Sequence, residues 1–558
     1  MSASDKKKLR KEQNAAAMTE RQKQARKEAK KLKGYTATFI IIMLLVVSIF
    51  VGTAFGGQIA GLFHQARTAV TVGDHEINTV ELNYFYVDSV QSMVNQYSSY
   101  GSYATTYLQL YTGLNASKPL DEQVRDSATG ETWADFFTTA AKESAKWTYA
   151  MYDKAMAAGH TLTADEQKAL DSEESTLDMY ASYYGYSSTK SYLRASYGDG
   201  AKVSSYLEYR RVSSIANSYA AKYYNDLEFT EKDYDAFSKD KATDYNSYSF
   251  SYYYLNYQTF LKGGTVTKGE DGKETTTYSD EEKEAARKAA KAAAEALAIA
   301  DNNTLEALNK AIQGLEIHKD KKEEDLKKIV ATENKFVISG NIQNADFKKW
   351  ITDSTRKTGD ITTIEIKSGE GKDATVSGYY VLLYHGMTDN KQPMANVQHI
   401  LIKFAGGTKD KNGNVTYSDA EKKAAKDKAE AILDEFLKGE KKDSAAFAKL
   451  ATSKSEDAGT KANGGLIEGI YRDSNYVQSF KDWALDNRNP GDTGIIESEY
   501  GYHVMFYKEH NKMTYRNFMI DIDLTKKTYE DWEKAIVDAI TITENNLKGL
   551  YTDYVIAG

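Results

Sequence analysis

The feature that most constrains this chain is an internal repeat: two stretches of its second half carry the same markers in the same order. The second copy runs from about Asn396 to His510. It opens with the apolar run Val397-Gln398-His399-Ile400-Leu401-Ile402 and closes with Gly501-Tyr502-His503-Val504-Met505-Phe506-Tyr507. The first copy runs from about Tyr248 to His385 and closes with Gly378-Tyr379-Tyr380-Val381-Leu382-Leu383-Tyr384. Between these ends, Tyr278-Ser279-Asp280 and the helix after it match Tyr417-Ser418-Asp419 and its helix. Phe347-Lys348-Lys349-Trp350 matches Phe480-Lys481-Asp482-Trp483, and Gly359-Asp360 matches Gly491-Asp492. On this alignment His503 falls on Tyr380, and His399 on Leu255 or Asn256, depending on one gap. A duplicated fold that keeps two histidines and a glycine pair in one copy predicts one working site and one scaffold.

In the second copy, Val397, His399 and Leu401 alternate with Gln398, Ile400 and Ile402, as in a strand covered on both faces. Ala425, Ala429, Ile432, Leu433 and Phe436 share one helical face. Asp443 and Ser444 cap a second helix holding Phe447 and Leu450, and Ser479 to Leu485 suits a third. The order strand–helix–helix–helix–strand predicts an α+β sandwich.

At 558 residues the chain holds several domains. It has no cysteine, which excludes disulfides, thiolate chemistry and a lipid anchor on cysteine. Its net charge of -8 is unevenly spread. Residues 1–34 carry twelve Lys/Arg against four Asp/Glu, about +8, which leaves about -16 for the rest. Residues 35–56 then carry no charge and, at 1.5 Å per residue, span roughly 33 Å as a helix, enough for a bilayer core. The expectation is a single-pass transmembrane helix over 35–56. The basic 1–34 would be cytoplasmic and the bulk of the chain extracytoplasmic, at the cell membrane. A cleavable signal peptide competes, but the apolar run is longer than usual and no clear small-residue cleavage site follows. The basic segment is a topology signal with some attraction to anionic lipid, so no nucleic-acid partner is expected.

Residues 67–247 read as a mostly helical domain. Ala69 to Ile77 begins it as strand–turn–strand, Thr79 to about Tyr97 is helical, and Thr132 to Phe237 is rich in Tyr and Ala. The tail 511–558 reads as helical from Tyr529 to Tyr554. Trp532, Ile536 and Ile540 lie on one face, expected to pack back on the helical domain. The fold class is thus α+β multidomain.

Ordered motifs in the second copy resemble a parvulin-type peptidyl-prolyl isomerase. They are Val397-Gln398-His399-Ile400-Leu401, Phe447-Ala448-Lys449-Leu450-Ala451, Ser455 to Leu466, Phe480, Pro490-Gly491-Asp492 and Tyr500-Gly501-Tyr502-His503-Val504. With the anchor, helical domain and tail, the whole resembles the membrane-anchored extracytoplasmic foldases of bacteria, the PrsA/SurA type. The resemblance implies a helical chaperone domain at 67–247, a degenerate parvulin-like domain at 248–390 and an isomerase domain at 393–510. It implies His399 and His503 side by side beneath a pocket and Asp457 at the polar catalytic position. Phe480 would be the apolar wall for the proline ring, with Tyr476, Ser498 and Tyr500 bordering it. No cofactor or metal is implied. The partners implied are unfolded or partly folded secreted polypeptides with X–Pro bonds and membrane lipid, and a homodimer is left open.

Each residue also has a plainer reading. The histidines serve as satisfied core residues, Phe480 as core, since Phe347 stands in the copy without histidines, and Asp457 as a solvated loop carboxylate. Gly464-Gly465 supplies a backbone conformation closed to other residues. The chain departs from the common Gly-Gly-Asp-Leu-Gly form, reading Gly464-Gly465-Leu466-Ile467-Glu468-Gly469, and Val477 stands where Gln is frequent. The alternative function is a non-enzymatic holdase in which both parvulin-like units are scaffolds.

Overall fold

The computed structural model describes residues 60–268, 273–369, 374–411 and 413–556. The expected basic segment 1–34 and span 35–56 lie outside them. Among the described residues no helix is long and apolar enough to cross a membrane. The chain divides into two units, one of residues up to Leu227 with those from Lys527 on, the other Glu228–Lys526.

In the first unit, strand β1 (Thr68–Val72) turns through Gly73, at φ +55°, into β2 (His75–Asn78). Asn78 caps helix α1 (Thr79–Asn95) by a reciprocal box with Glu81. Helix α2 (Ala104–Thr112) follows, then α3 (Trp133–Ala157), boxed by Thr132 and Asp135, and α4 (Val203–Asn225). Val70, Val72, Ile77, Leu82, Phe85 and Phe137 form the core. The tail departs from the expected helix: the helix from Tyr515 ends at Asp538, and Ile542–Glu544 is a strand that pairs antiparallel with β1. The Ile-Thr-Ile-Thr alternation at 540–543 suits a strand better than a helix, and the free edge of β1 supplies its partner. Trp532 lies flat on Tyr223, with centroids 3.9 Å apart and planes 6° apart.

The second unit holds two four-stranded antiparallel sheets with one connectivity. The first comprises β3 (Ser247–Asn256), β4 (Thr332–Ile338), β5 (Ile361–Ser368) and β6 (Thr375–Thr388), in the order β4-β3-β6-β5. The second comprises β7 (Pro393–Lys403), β8 (Leu466–Ile470), β9 (Thr493–Ser498) and β10 (Gly501–Thr514), in the order β8-β7-β10-β9. The main sheet of each repeat therefore has four strands, two more than the sequence pattern suggests, because β4, β5, β8 and β9 are short or half-exposed and carry little periodicity; each repeat adds a two-stranded hairpin, Thr265–Lys268 with Glu274–Thr277 and Thr408–Lys409 with Val415–Thr416.

One face of the second sheet, Ile400, Ile402, Val504 and Phe506, packs on Ala425, Ala429, Ile432 and Phe436 of the helix Asp419–Lys438 and on Phe447 and Ala451 of the helix Ser444–Lys454. The other face, Ala395, Val397, Met505 and Tyr507, packs on Phe480, Trp483 and Ala484 of the short helix Gln478–Ala484. The first sheet is layered alike, with Leu255, Val381 and Leu383 against two helices and Phe250, Leu382 and Tyr384 against Phe347 and Ile351. Shared polar details fix the correspondence. Gly359 and Gly491 donate to the carbonyls of Tyr384 and Tyr507, which donate back to Asp360 and Asp492. Glu282 and Glu421 each cap their helix and also accept from a glycine N–H, Gly264 or Gly407.

The register corrects the sequence alignment. Gly378 faces Asn256 and Tyr380 faces Tyr254, while Gly501 faces Lys403 and His503 faces Leu401. Counting back from the paired glycines, the partner of His399 in the first copy is Tyr252, three or four residues before the position aligned by sequence. Tyr380 remains the partner of His503.

Candidate active site of the second repeat

His399 and His503 stand on neighbouring strands, diagonal to each other, since His399 faces Met505 and Leu401 faces His503. Both point to the sheet face covered by the short helix, and both are buried, at 4 % and 6 % exposure. Their Nδ1 atoms lie 3.0 Å apart. His399 Nε2 lies 3.2 Å from Asp457 Oδ2 and 2.9 Å from Thr460 Oγ1. His503 Nε2 lies 2.8 Å from Ser498 Oγ, which also accepts the Tyr500 N–H.

One proton arrangement satisfies every member of this chain. Thr460 donates its hydroxyl to Asp457 at 2.5 Å. His399 then donates from Nε2 toward Thr460 and Asp457, and its bare Nδ1 accepts from His503 Nδ1–H. His503 Nε2 in turn accepts the Ser498 hydroxyl. Four side chains, on the loop and on β7, β10 and β9, are thereby locked to Asp457 as the terminal acceptor.

Electrostatics fits neutral rings. Burial lowers the pKa of His399, against the pull of Asp457. Burial, then the neighbouring His399, lowers His503 to about 4, with Asp457 opposing. Partial burial pushes the Asp457 carboxyl up, but the Thr460 hydroxyl, the Gly459 N–H and the His399 ring together outweigh it and hold it below its ordinary value. At neutral pH the site is therefore two uncharged imidazoles ending on one carboxylate.

Phe480 stands edge-on to both rings, with centroids 5.4 Å from His399 and 5.5 Å from His503, and is 2 % exposed. Tyr476 stacks on its outer side at 5.6 Å and is part-exposed. Of the residues singled out in the sequence, His399, Asp457, His503, Ser498, Phe480 and Tyr476 are joined directly. Tyr500 joins through its backbone, and its ring is exposed. Sequence reasoning missed Thr460, although a hydroxyl three residues after a loop aspartate is a turn signature. It also missed Ser455, whose hydroxyl accepts from the Leu401 and Asp457 amides and ties the loop to β7.

The glycine pair sets how closely that loop approaches. Gly464 and Gly465 have φ +64° and +72°. A Cβ on Gly465 would lie 2.1 Å from the His399 carbonyl oxygen, against which Gly465 O accepts the His399 N–H at 2.9 Å. Only a bare backbone lets the Asp457 loop close on the strand that carries His399.

The arrangement offers no free nucleophile, since every imidazole nitrogen is engaged. Among the described residues no group of three or more His, Asp or Glu side chains is arranged to hold a metal ion. What remains is a rigid, neutral, part-apolar floor with an aromatic wall. Residues 379–511 match the family model of the PPIC-type PPIASE domain, and the second repeat is a parvulin-type peptidyl-prolyl isomerase domain. More widely, the chain is similar to proteins named foldase protein PrsA. That of Clostridium botulinum (strain Langeland / NCTC 10281 / Type F) is 28 % identical over 192 residues, 32 % of this chain and 48 % of the relative. That of Clostridium tetani (strain Massachusetts / E88) is 28 % identical over 227 residues, 40 % of this chain and 55 % of the relative. The chain thus spans about half the length of the curated relatives it matches. Among solved structures, PrsA from Bacillus subtilis aligns at 19 % identity and a TM-score of 0.16, covering 26 % of this chain and 46 % of that one.

Proposed function

We propose that the second repeat isomerises X–Pro peptide bonds in unfolded or partly folded secreted polypeptides, and that the chain is a foldase with chaperone activity. The observation that carries this reading is the buried His399–His503 pair, 3.0 Å apart, under the edge-on ring of Phe480. Rotation about an X–Pro bond faces a barrier of about 18–20 kcal/mol because amide resonance stiffens it. The reaction makes and breaks no covalent bond, so a site needs only to hold the twisted amide better than either planar form. Part-exposed Tyr476, backed by the buried ring of Phe480, offers an apolar seat for the proline ring. A water-poor seat disfavours the charge-separated resonance form and so eases the twist. The hydrogen-bonded floor keeps its shape without a positive charge that would favour the planar amide's polar form.

In the same reading the first repeat is a degenerate parvulin-like domain, silent because Tyr252 and Tyr380 replace the two histidines. Residues 35–56 anchor the chain in the cell membrane with 1–34 inside and the bulk extracytoplasmic. The anchor is supported by the uncharged run and its one-sided basic flank. Two measurements test these points. The full chain should accelerate cis–trans exchange of a panel of X–Pro peptides, and a rate no faster than buffer on every peptide refutes the enzyme. Protease added to wall-stripped cells should remove the bulk and leave a small membrane-bound N-terminal piece, and release of the chain into the medium from about residue 57 refutes the anchor.

A further inference from the structure

The first unit holds a basic cavity beside Gly61. The helix Thr189–Tyr197 carries Lys190 and Arg194 one turn apart, and Lys202 stands just ahead of α4. With Leu62, Gln65 and Gly200, these three cations line a cavity of about 310 Å³. Among the described residues no acidic side chain lines it. The acids nearby are already engaged. Asp199 pairs with Arg194, Glu208 pairs with Arg211, and Glu81 closes the cap of α1. Lys190 and Lys202 form no ion pair among the described residues.

One wall of the cavity is the short helix of residues 60–66, and it is firmly seated. A Cβ on Gly61 would lie 2.7 Å from Gly200 Cα, and one on Gly200, at φ +98°, would lie 2.9 Å from the Gly61 carbonyl oxygen. The two bare backbones therefore touch, and larger residues would part them. Gln65 Nε2 donates to the Gly200 carbonyl at 2.6 Å, and Lys202 Nζ donates to Gln65 Oε1 at 3.4 Å. The same short helix leaves Leu62 and Phe63 67 % and 58 % exposed. Arg67 stands over the Phe63 ring. An apolar edge and a basic cavity thus share one rigid corner.

We infer that this corner docks the first unit on the outer face of the membrane, with the phosphate of an anionic phospholipid headgroup held among Lys190, Arg194 and Lys202. The inference rests on the anchor proposed above and adds a second attachment, outside the span. Gly61 follows residue 56, where the uncharged run ends, by five residues. Even fully extended, five residues reach no more than about 18 Å. The headgroup layer itself takes up roughly 5–8 Å of that distance. An anchored chain therefore holds the cavity close to lipid phosphates. A phosphodiester offers charged oxygens to ammonium and guanidinium donors, and each Lys or Arg near an anionic surface favours the docked state about fivefold. Exposed apolar side chains beside a basic face suit the boundary between headgroups and acyl chains. A soluble acidic peptide would satisfy the cations but would leave Leu62 and Phe63 in water. Two attachments, the span and the headgroup, would fix how the first unit faces the bilayer.

The test uses the full chain in lipid nanodiscs of phosphatidylcholine, with or without a quarter of phosphatidylglycerol, each carrying a lipid with a headgroup quencher. Since the chain has no cysteine, Ser187→Cys places a single fluorescent label near Lys190. The label should be quenched in the anionic discs, and the quenching should fade in about 1 M NaCl, where charges are screened beyond about 3 Å. Lys190→Gln/Lys202→Gln should lower the ratio of docked to undocked chain about thirtyfold, with an unchanged thermal midpoint as the check on its fold. If the double variant is unstable, Lys190→Gln alone should lower the ratio about fivefold. Equal quenching in neutral and anionic discs, or in the folded variant and the wild type, overturns the headgroup site. Loss of quenching on adding glycerol 3-phosphate equimolar with the anionic lipid overturns the lipid as the source of the phosphate. The anchor is read separately, by flotation of the full chain with neutral vesicles at high salt. Flotation without quenching in anionic discs overturns only the headgroup site, whereas failure to float overturns the anchor and this placement with it.

Discussion

Tyr252 and Tyr380 lie diagonally across β3 and β6 with ring centroids 5.5 Å apart, in the places that His399 and His503 occupy in the second sheet. Phe347 stands 5.8 and 4.9 Å from them, as Phe480 stands to the histidines. The two repeats thus share one three-ring cluster, hydrogen-bonded to a carboxylate in one copy and purely aromatic in the other.

This correspondence separates packing from catalysis. Phe347→Ala and Phe480→Ala should each cost about 3–5 kcal/mol, since each removes a buried ring. Only Phe480→Ala should lower kcat/KM on X–Pro peptides. Equal loss of isomerisation in both variants, measured by exchange spectroscopy on folded protein, would assign the first repeat a share of the activity.

Asp457→Ala should reduce isomerisation about tenfold or more while costing about 1 kcal/mol of stability. The carboxylate is part-exposed, and the bonds it loses are those to Gly459, Thr460 and His399. Without it the proton order along the two rings loses its terminal acceptor. Unchanged rates on every peptide would remove Asp457 from the mechanism.

Acid should weaken the second repeat through its histidines. The pKa of His503 falls from 6.5 to about 4 on folding. The unfolded chain therefore binds a proton there that the folded chain refuses between those values. The stabilisation is fully present above pH 6.5 and is lost as pH drops toward 4, up to roughly 2–3 kcal/mol. His399, lowered in the same direction, adds to the loss. Asp457, held below its ordinary value, contributes stability lost only at still lower pH, below about 3.8. Urea unfolding at pH 7, 6 and 5 should show a smaller pH slope in His503→Phe than in wild type, and identical slopes would contradict the buried neutral ring.

Gly465→Ala should be severely destabilising and should abolish isomerisation, because the new Cβ meets the His399 carbonyl at 2.1 Å in a left-handed backbone. Gly491→Ala is the control. Its φ is also positive, at +98°, but nothing lies within 4 Å of the added Cβ. It should cost only the backbone strain, about 1 kcal/mol. Similar unfolding midpoints for the two variants would show that the loop yields where close packing is described.

The second repeat was legible because its markers are backbone devices. The Gly-Asp turns, the Ser-capped helices with their glutamates, and Phe347 and Phe480 recur at matching places whatever surrounds them. The register of β3 was not legible. Its run Ser247–Asn256 is mostly Tyr and Ser, with no contrast between faces, whereas β7 is apolar on both, so neither strand carries a phase for the other to match. Thr460 escaped notice because its part depends on where the loop folds back, which Gly464 and Gly465 decide. The strand Ile542–Glu544 escaped notice because its partner lies more than 450 residues earlier.

That last pairing has a consequence for the order in which the chain is made. β1 is the middle strand of its sheet, between β2 and Ile542–Glu544. Asn545 and Asn546 also donate to the Ala69 carbonyl. During synthesis both repeats have all their strands once Thr514 has emerged, while the sheet of the first unit still lacks an edge. The domain begun first is therefore finished last, and a nascent chain passes through a stage in which the isomerase is complete and the β1 edge stands open.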